Sequence, residues 1–491
     1  MTCNKNSILL FFIFLKINFL YSQKNIGITF QKSFEKVKIK NYNNFMISST
    51  SFMLNHDSKN VRLSYGLQIQ ESITGNFGGL YVFGIITQIS KSILRSPLYV
   101  NFNSFFGGGG GAGAPDGSGY SRRLSYGLSY QIFDNLNLIL LRSNYSFPNG
   151  EINSNNNLFG ISYINKSIFN SKISNARFIN QGVGFYLKQI NIDKNDSYLI
   201  DKSYSPLMIG FEYKNSLSNF YNDKLNFLLR LEGLISQRND GFMAFYKGLS
   251  YEIFKYFDFN FLIGSSGGGG IETDGGLSYI IEPKLKIPIN SNILSLSYGL
   301  NKSIYGNFSS DFIQFSLNKK FSSSIRILNN GNMFKTYNKD TDYLIYSFGI
   351  NYYEVNNNLD KNGLKYVDIM LSNFSLKYQI KNSYLIGSTK WAFFGNYGAY
   401  AEGLLGYSQK LISFNKVNFY IPIYLVVAGG GGINVGKGYG FQISSEIKYD
   451  FNDNISLGFE YSKLNMINGS FNPNSYSISL IKKLKFYKIK I

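Results

Sequence analysis

The chain has 491 residues, with 49 Lys and Arg against 29 Asp and Glu for a formal net charge of +20, and only one cysteine and one histidine. Those counts exclude a disulfide framework and the Cys/His clusters on which zinc sites depend. Aromatic residues make up 17%, glycine occupies 49 positions and proline 8, a mixture that favours strands and turns over helices.

Residues 1–23 open with Lys5, continue through an apolar run from Ile8 to Leu20 and end at Ser22 and Gln23, which reads as a secretory signal peptide. Its removal takes away Cys3, Lys5 and Lys16, leaving no cysteine and a charge of 20 − 2 = +18. His56 sits in "LNHDSKN", a polar cluster between two strand-like runs, and reads as a solvated turn. The basic excess is dispersed. Short clusters such as Lys482-Lys483 occur, but no arm of about five consecutive basic residues points to nucleic acid.

Along the chain, apolar residues recur at every second position. In "VRLSYGLQIQ", Val61, Leu63, Tyr65, Leu67 and Ile69 share one face, and Arg62, Ser64, Gly66, Gln68 and Gln70 the other. In "LSYGLSYQI", Leu124, Tyr126, Leu128 and Tyr130 oppose Ser125, Gly127 and Ser129. The pattern returns in "NILSLSYGLN" and in "FQISSEIKYDF", where Phe441, Ile443 and Ile447 face away from Gln442, Ser444 and Glu446. These runs extend over roughly 9–13 residues, the length needed to cross hydrocarbon at a tilt, whereas strands of soluble domains cluster near about 5–6. The polar face is built of Ser, Gly and Asn, which suits a wet interior.

The organisation is a threefold repeat. Glycine runs start at Gly107, Gly267 and Gly429, separated by 160 and 162 residues. Each is preceded by a strand-like segment and followed by two alternating runs around a short polar turn, at Asp134-Asn135, Ser291-Asn292 and Asp453-Asn454. The repeats divide the chain into 1–23 (signal peptide), 24–170, 171–330 and 331–491. The reading is all-β: a transmembrane antiparallel barrel of roughly 24 strands, about eight per repeat. Three eight-stranded barrels in tandem are the alternative. One large barrel ranks first because the last strand of each repeat can pair directly with the next. Short turns in such barrels are normally periplasmic, so the three glycine runs are expected at one shared outer rim.

These features resemble the bacterial outer-membrane β-barrel proteins as a broad class, especially the Tyr/Asn/Gly-rich ones of the Bacteroidota. The resemblance implies the fold and a location in the cell outer membrane, and carries over no functional residue.

"GGINVGKG" (Gly431–Gly438) fits GxxxxGK but ends in Gly438 where a P-loop needs Ser or Thr, and a strand pattern follows instead of a helix. No catalytic set recurs among the repeats, so no enzyme activity, cofactor or metal is expected. Arg62, Arg123 and Lys448 are candidate basic residues of the lumen that would bias passage toward anions. Glu446 beside Lys448 reads as a local ion pair of the lumen. The expected function is porin-like passage of small polar or anionic solutes, with a non-conducting structural or surface-interaction barrel as the alternative. A wide open pore would compromise the envelope, so for passage loops such as "SNYSFPNGEINSNNNL" would have to fold inward. Membrane lipid and lipopolysaccharide are the expected partners.

Overall fold

The computed structural model describes residues 26–39, 42–58, 60–93, 96–165, 179–192, 206–217, 224–235, 241–271, 273–289, 292–324, 339–355, 359–380 and 382–489. The signal-peptide reading, the Ser291 turn position and most of the segments "INIDKNDSYLIDKSYS" and "NNGNMFKTYNKDTD" lie outside these residues. The described residues form 24 strands and no α-helix. The strands are numbered β1 to β24 in chain order.

Their closure follows the tandem arrangement. β1 (Ile26–Val37) pairs with β8 (Asn153–Asn165) over Ile28↔Asn165 to Glu35↔Leu158, sealing the first eight strands into a barrel. β9 (Ile179–Ile192) meets β16 (Ser309–Ser324) in the same way, and β17 (Lys339–Glu354) meets β24 (Asn474–Ile489). The single 24-stranded wall does not form, because the last strand of each repeat returns to the first strand of its own repeat. The physical reason lies inside: eight strands enclose an interior just wide enough for side chains to fill, and these repeats carry large, mutually pairing inward side chains. Each closure leaves no strand edge. The link between the second and third barrels in the sheet is a two-residue contact, Ser323↔Lys488 and Ser324↔Tyr487.

The every-second-residue pattern becomes an inside and an outside. In β6 (Ser121–Phe133), Ser121, Arg123 and Ser125 are buried in the lumen, while Leu124, Tyr126 and Leu128 are exposed on the outer wall. In β22 (Tyr439–Asn452), Gln442, Ser444 and Glu446 face in, and Phe441, Ile443 and Ile447 face out. At the rim carrying the short turns, β6, the sixth strand of the first barrel, and β12 (Met243–Phe254) and β20 (Ala401–Phe414), the fourth strands of the second and third, end at aromatic residues. Phe133, Phe254 and Phe414 are 67%, 69% and 70% exposed.

The glycine runs end β5 (Leu98–Gly110), β13 (Phe257–Gly267) and β21 (Val417–Gly429), all at the opposite rim from the turns after Phe133, Phe254 and Phe414. They share one rim because they join the barrels to one another. Each run meets the tight hairpin between the third and fourth strands of a neighbouring barrel. Gly79 lies so close to Gly268 that a Cβ would overlap its backbone, and φ at the two residues is +100° and +92°, a region that favours glycine. A Cβ on Gly119 would lie 2.7 Å from Gly398, and one on Gly241 would lie 2.8 Å from Gly430. Barrel two thus grips barrel one, barrel three grips barrel two, and barrel one grips barrel three. The contacts run head to tail and close into a pseudo-threefold ring.

Candidate functional site

Two features could carry function: the three lumens and the seams between the barrels. In the second barrel, β11 (Leu225–Ile235) places Arg230 in the lumen at 0% exposure. Its Nε donates to Glu212 at 2.8 Å, and it also pairs with Glu282. Lys284 reaches the same Glu212 at 2.9 Å. Lys188 pairs with Glu232 at 2.7 Å, and Glu232 also accepts the Tyr186 hydroxyl at 2.7 Å. Nearer the short-turn rim, Asp258 takes Lys214 at 2.7 Å and Lys286 at 2.6 Å, and Lys286 also reaches Glu252 at 2.6 Å. Lys188, Lys214, Arg230, Lys284 and Lys286 thereby face Glu212, Glu232, Glu252, Asp258 and Glu282, so this paired network is neutral. Buried charge is tolerated only when compensated in this way.

The first barrel is filled differently. Arg123, 1% exposed, donates to Gln68 at 2.7 Å and Ser49 at 3.0 Å, with Glu35 at 3.8 Å. Around it lie neutral groups: Gln68 donates to Ser51 at 2.6 Å, and Asn101 accepts from Ser90 at 2.6 Å. Among the described residues, the Gln31 amide and the Ser33 and Ser125 hydroxyls have no hydrogen-bond partner. The third barrel lies between these cases. Lys377 pairs with Glu446 at 2.7 Å, and Lys390 pairs with Glu402 at 3.0 Å, which also accepts Tyr353 and Tyr400 hydroxyls at 2.8 and 2.7 Å.

Aromatic rings complete the filling. The Tyr186, Phe312 and Tyr424 rings lie over Gly210, Gly299 and Gly406, their direct cross-strand partners, in the space a Cβ would occupy. At the glycine rim each lumen is lidded by its own loops. Phe77, Leu80, Phe147 and Ile152 pack with inward Phe45 and Phe105 over the first barrel. Phe242, Ile271 and Phe308 do so over the second, and Tyr366, Tyr397, Ile433, Val435 and Phe471 over the third. Of "SNYSFPNGEINSNNNL" only residues 147–152 form a loop, whose Phe147 and Ile152 pack inward, and the rest is strand. Cations bridge lid and plug: Arg123 lies 5.9 Å from the Phe105 ring centroid and Lys188 4.4 Å from that of Phe312.

All four residues singled out from sequence sit on lumen faces, each with a partner. Arg62 pairs with Asp57, its cross-strand neighbour, at 2.6 Å near the short-turn rim. Arg123 is the centre of the first plug. Glu446 pairs with Lys377 across the lumen instead of with Lys448, which pairs with Asp450 at 3.2 Å. The closed wall brings Lys377 directly to Glu446, and Lys448 turns instead to Asp450, two residues further along the same face. His56 is a strand residue of β2 (Phe45–Asp57), half-buried and stacked on Tyr65 at 5.5 Å, so the solvated-turn reading does not hold. The hydrophobic pattern of β2 simply runs on through "LNHD". Gly431–Gly438 forms the β21–β22 connection, followed by a strand.

Sequence reading missed the seam between the first and second barrels. On β3 (Val61–Thr74), Glu71 falls on the outer face, yet it is 2% exposed. Lys32 reaches it at 2.9 Å and Lys247 of the second barrel at 2.7 Å, while the Ser265 hydroxyl donates to it at 3.0 Å. The signal was present in the pattern: Lys32, Glu71 and Lys247 are charged residues in the apolar phase of their strands, which only a covered outer wall can accommodate.

On the glycine rim, Asp116 of the β5–β6 loop accepts the Gly111 amide at 2.7 Å. Burial pushes its carboxyl up to about 7, against the counter-effect of the backbone hydrogen bonds.

No protein-family model and no curated protein sequence matches the chain. Among solved structures it is similar to the siderophore receptor PirA from Acinetobacter baumannii, with 9% identity over 94% of this chain and 81% of that one and a TM-score of 0.29. It is also similar to the ferric enterobactin receptor PfeA from Pseudomonas aeruginosa (8%, 94% and 82%, TM-score 0.28). A third is the outer membrane protein OpdK of the same organism (7%, 94% and 98%, TM-score 0.24). At such TM-scores the likeness transfers no property to this chain.

Proposed function

We propose that this chain is an integral outer-membrane protein whose three lumen-filled barrels form a non-conducting scaffold that presents its glycine-rim loops at the cell surface. The observation that carries this reading is the double obstruction of every lumen, by a side-chain plug and by a loop lid. The exposed apolar wall, the strand lengths of 10–16 residues and the exposed Phe133, Phe254 and Phe414 at one rim support insertion in a bilayer. The short turns then face the periplasm and the lids face outward. Exposed Lys36, Lys38 and Arg122 near the lidded rim would meet the phosphates of lipopolysaccharide, and lipid would cover the wall. The role is non-enzymatic.

Porin-like passage of small polar or anionic solutes is the second reading, favoured by one feature: the neutral lumen of the first barrel, with its unpartnered amide and hydroxyls, is the interior most ready to hold water. The pairing of Arg62, Arg123 and Lys448 with carboxylates weakens any anion bias. Single-channel recording in planar bilayers separates the two. Silence from correctly folded protein supports the scaffold, and discrete conductance steps support the passage.

A further inference from the structure

The three seams are alike in backbone geometry and unlike in side chains. Glu71, Gly233 and Trp391 occupy one homologous position, because they pair with Tyr81, Met243 and Ala401, the first residues of the fourth strand in each barrel. Gly108, Ser265 and Val427 occupy another, two residues before Gly110, Gly267 and Gly429, which pair with those same first residues. The ring sets the members of these two sets against each other. Glu71 meets Ser265 through a 3.0 Å hydrogen bond, and a Cβ on Gly233 would touch Val427 at 3.9 Å. Gly108 lies against the backbone of Ala392, next to Trp391, where a Cβ would come to 2.6 Å of the carbonyl oxygen.

Charge adds a second distinction. Lys247 sits at the position occupied by Ile85 in the first barrel and Leu405 in the third, four residues after Met243, Tyr81 and Ala401. Only the first-to-second seam therefore carries the group of Lys32, Glu71 and Lys247, with Thr50 also accepting from Lys247 at 3.2 Å. In the reverse order, Glu71 would face Val427 of the third barrel and lose Lys247, leaving a carboxylate on an apolar wall with only part of its compensation.

We propose that these unlike seams are a recognition code between the barrels, in which the Glu71–Lys247 contact selects the second barrel as the neighbour of the first and fixes the order around the ring. Each barrel presents a surface specific for one neighbour, and the ring is held by those surfaces and not by the connecting chain. This holds whether or not any lumen conducts.

The test uses the full chain, folded intact, with protease sites inserted within 166–178 and 325–338 and cut afterwards in detergent. The three fragments are expected to stay together as one particle by native mass spectrometry. Glu71→Gln or Lys247→Met should increase release of the first barrel at least about tenfold. The exchange Glu71→Lys with Lys247→Glu, made together with Lys32→Met so that the new lysine does not face a second cation, keeps one ion pair across the seam and is expected to restore retention. Fast migration of each unheated fragment in SDS gels reports that it is folded. Separation of folded wild-type fragments would overturn the proposal, and so would a charge exchange whose folded fragments are released as readily as those of Glu71→Gln. If the exchange variant does not fold, Ser265→Leu, which removes the donor to Glu71 and adds bulk at the same seam, serves in its place, and unchanged retention there would likewise count against it.

Discussion

The first and second barrels have the same strand number, the same loop lids and the same apolar outer wall, yet their interiors solve the filling problem in different ways. The second is packed with five cations and five carboxylates in a neutral network, anchored on Arg230. The first uses amides and hydroxyls around one long central ion pair, Arg123 with Glu35, with Arg62 and Asp57 paired at the short-turn rim. A closed eight-stranded wall constrains volume and polarity more tightly than it constrains chemistry: any set of inward side chains serves if it fills the space and answers its own hydrogen bonds.

The difference makes the barrels unequal under mutation. The largest effect is expected in the second barrel, where Arg230→Met leaves Glu212 with Lys284 alone and takes from Glu282 the cation it pairs with. Breaking buried charge in this way costs about 3–5 kcal/mol, measurable as a lower denaturant midpoint in micelles. Opening a lid comes next. Phe147→Ala in the first barrel is expected to cost about 3 kcal/mol and, in bilayers, to give small conductance steps, because the unpartnered Gln31, Ser33 and Ser125 of the plug beneath are polar groups that water can reach to bond once the lid is opened. Phe308→Ala in the second barrel should cost a similar amount and stay silent over its charged plug. Equal conductance from both would erase the distinction drawn between the two interiors.

A smaller loss, about 1–3 kcal/mol, is expected for Arg123→Met, since Glu35 is its distant partner and Gln68 and Ser49 can bond elsewhere. The smallest effect is one of pH at the rim of the first barrel. The folded loop holds the Asp116 proton more tightly than the unfolded chain does, about 7 against an ordinary 3.8. Its contribution to stability is therefore fully present below about 3.8 and is lost as pH rises through about 7. Asp116→Asn should flatten the fall in melting temperature between those values relative to wild type, and an unchanged slope would remove Asp116 as its cause.

The alternation of "LSYGLSYQI" and its relatives made the strands, their number and their two faces legible, because a period of two is imposed by the backbone itself. The shared rim of the glycine runs followed from turn length. Closure was not legible, because the pairing choice of β8 between β1 and β9 has no local signature: both candidates are alternating antiparallel strands. What distinguishes them is the volume of residues such as Arg230 and Lys188, which fit a narrow barrel. Lumen pairing was half legible. The inward phase of Glu446 is a strand property, but its partner Lys377 is far away in sequence and becomes a neighbour only through closure. The seam residues Lys32, Glu71 and Lys247 were visible as breaks in the apolar phase, and their meaning depended on knowing that another barrel covers them.

The three lumens exist only if each repeat closes on itself, and cysteine cross-linking addresses that closure directly, since the only native cysteine is Cys3. Phe34 and Phe159 are direct partners on β1 and β8, their rings 5.7 Å apart on the outer wall. The account predicts that Phe34→Cys with Phe159→Cys forms an oxidised link in the membrane-inserted protein, while Phe159→Cys with Leu187→Cys, which would join β8 to β9, does not. A link from position 159 to position 187 in place of the link to position 34 would contradict three closed barrels and restore a single continuous wall.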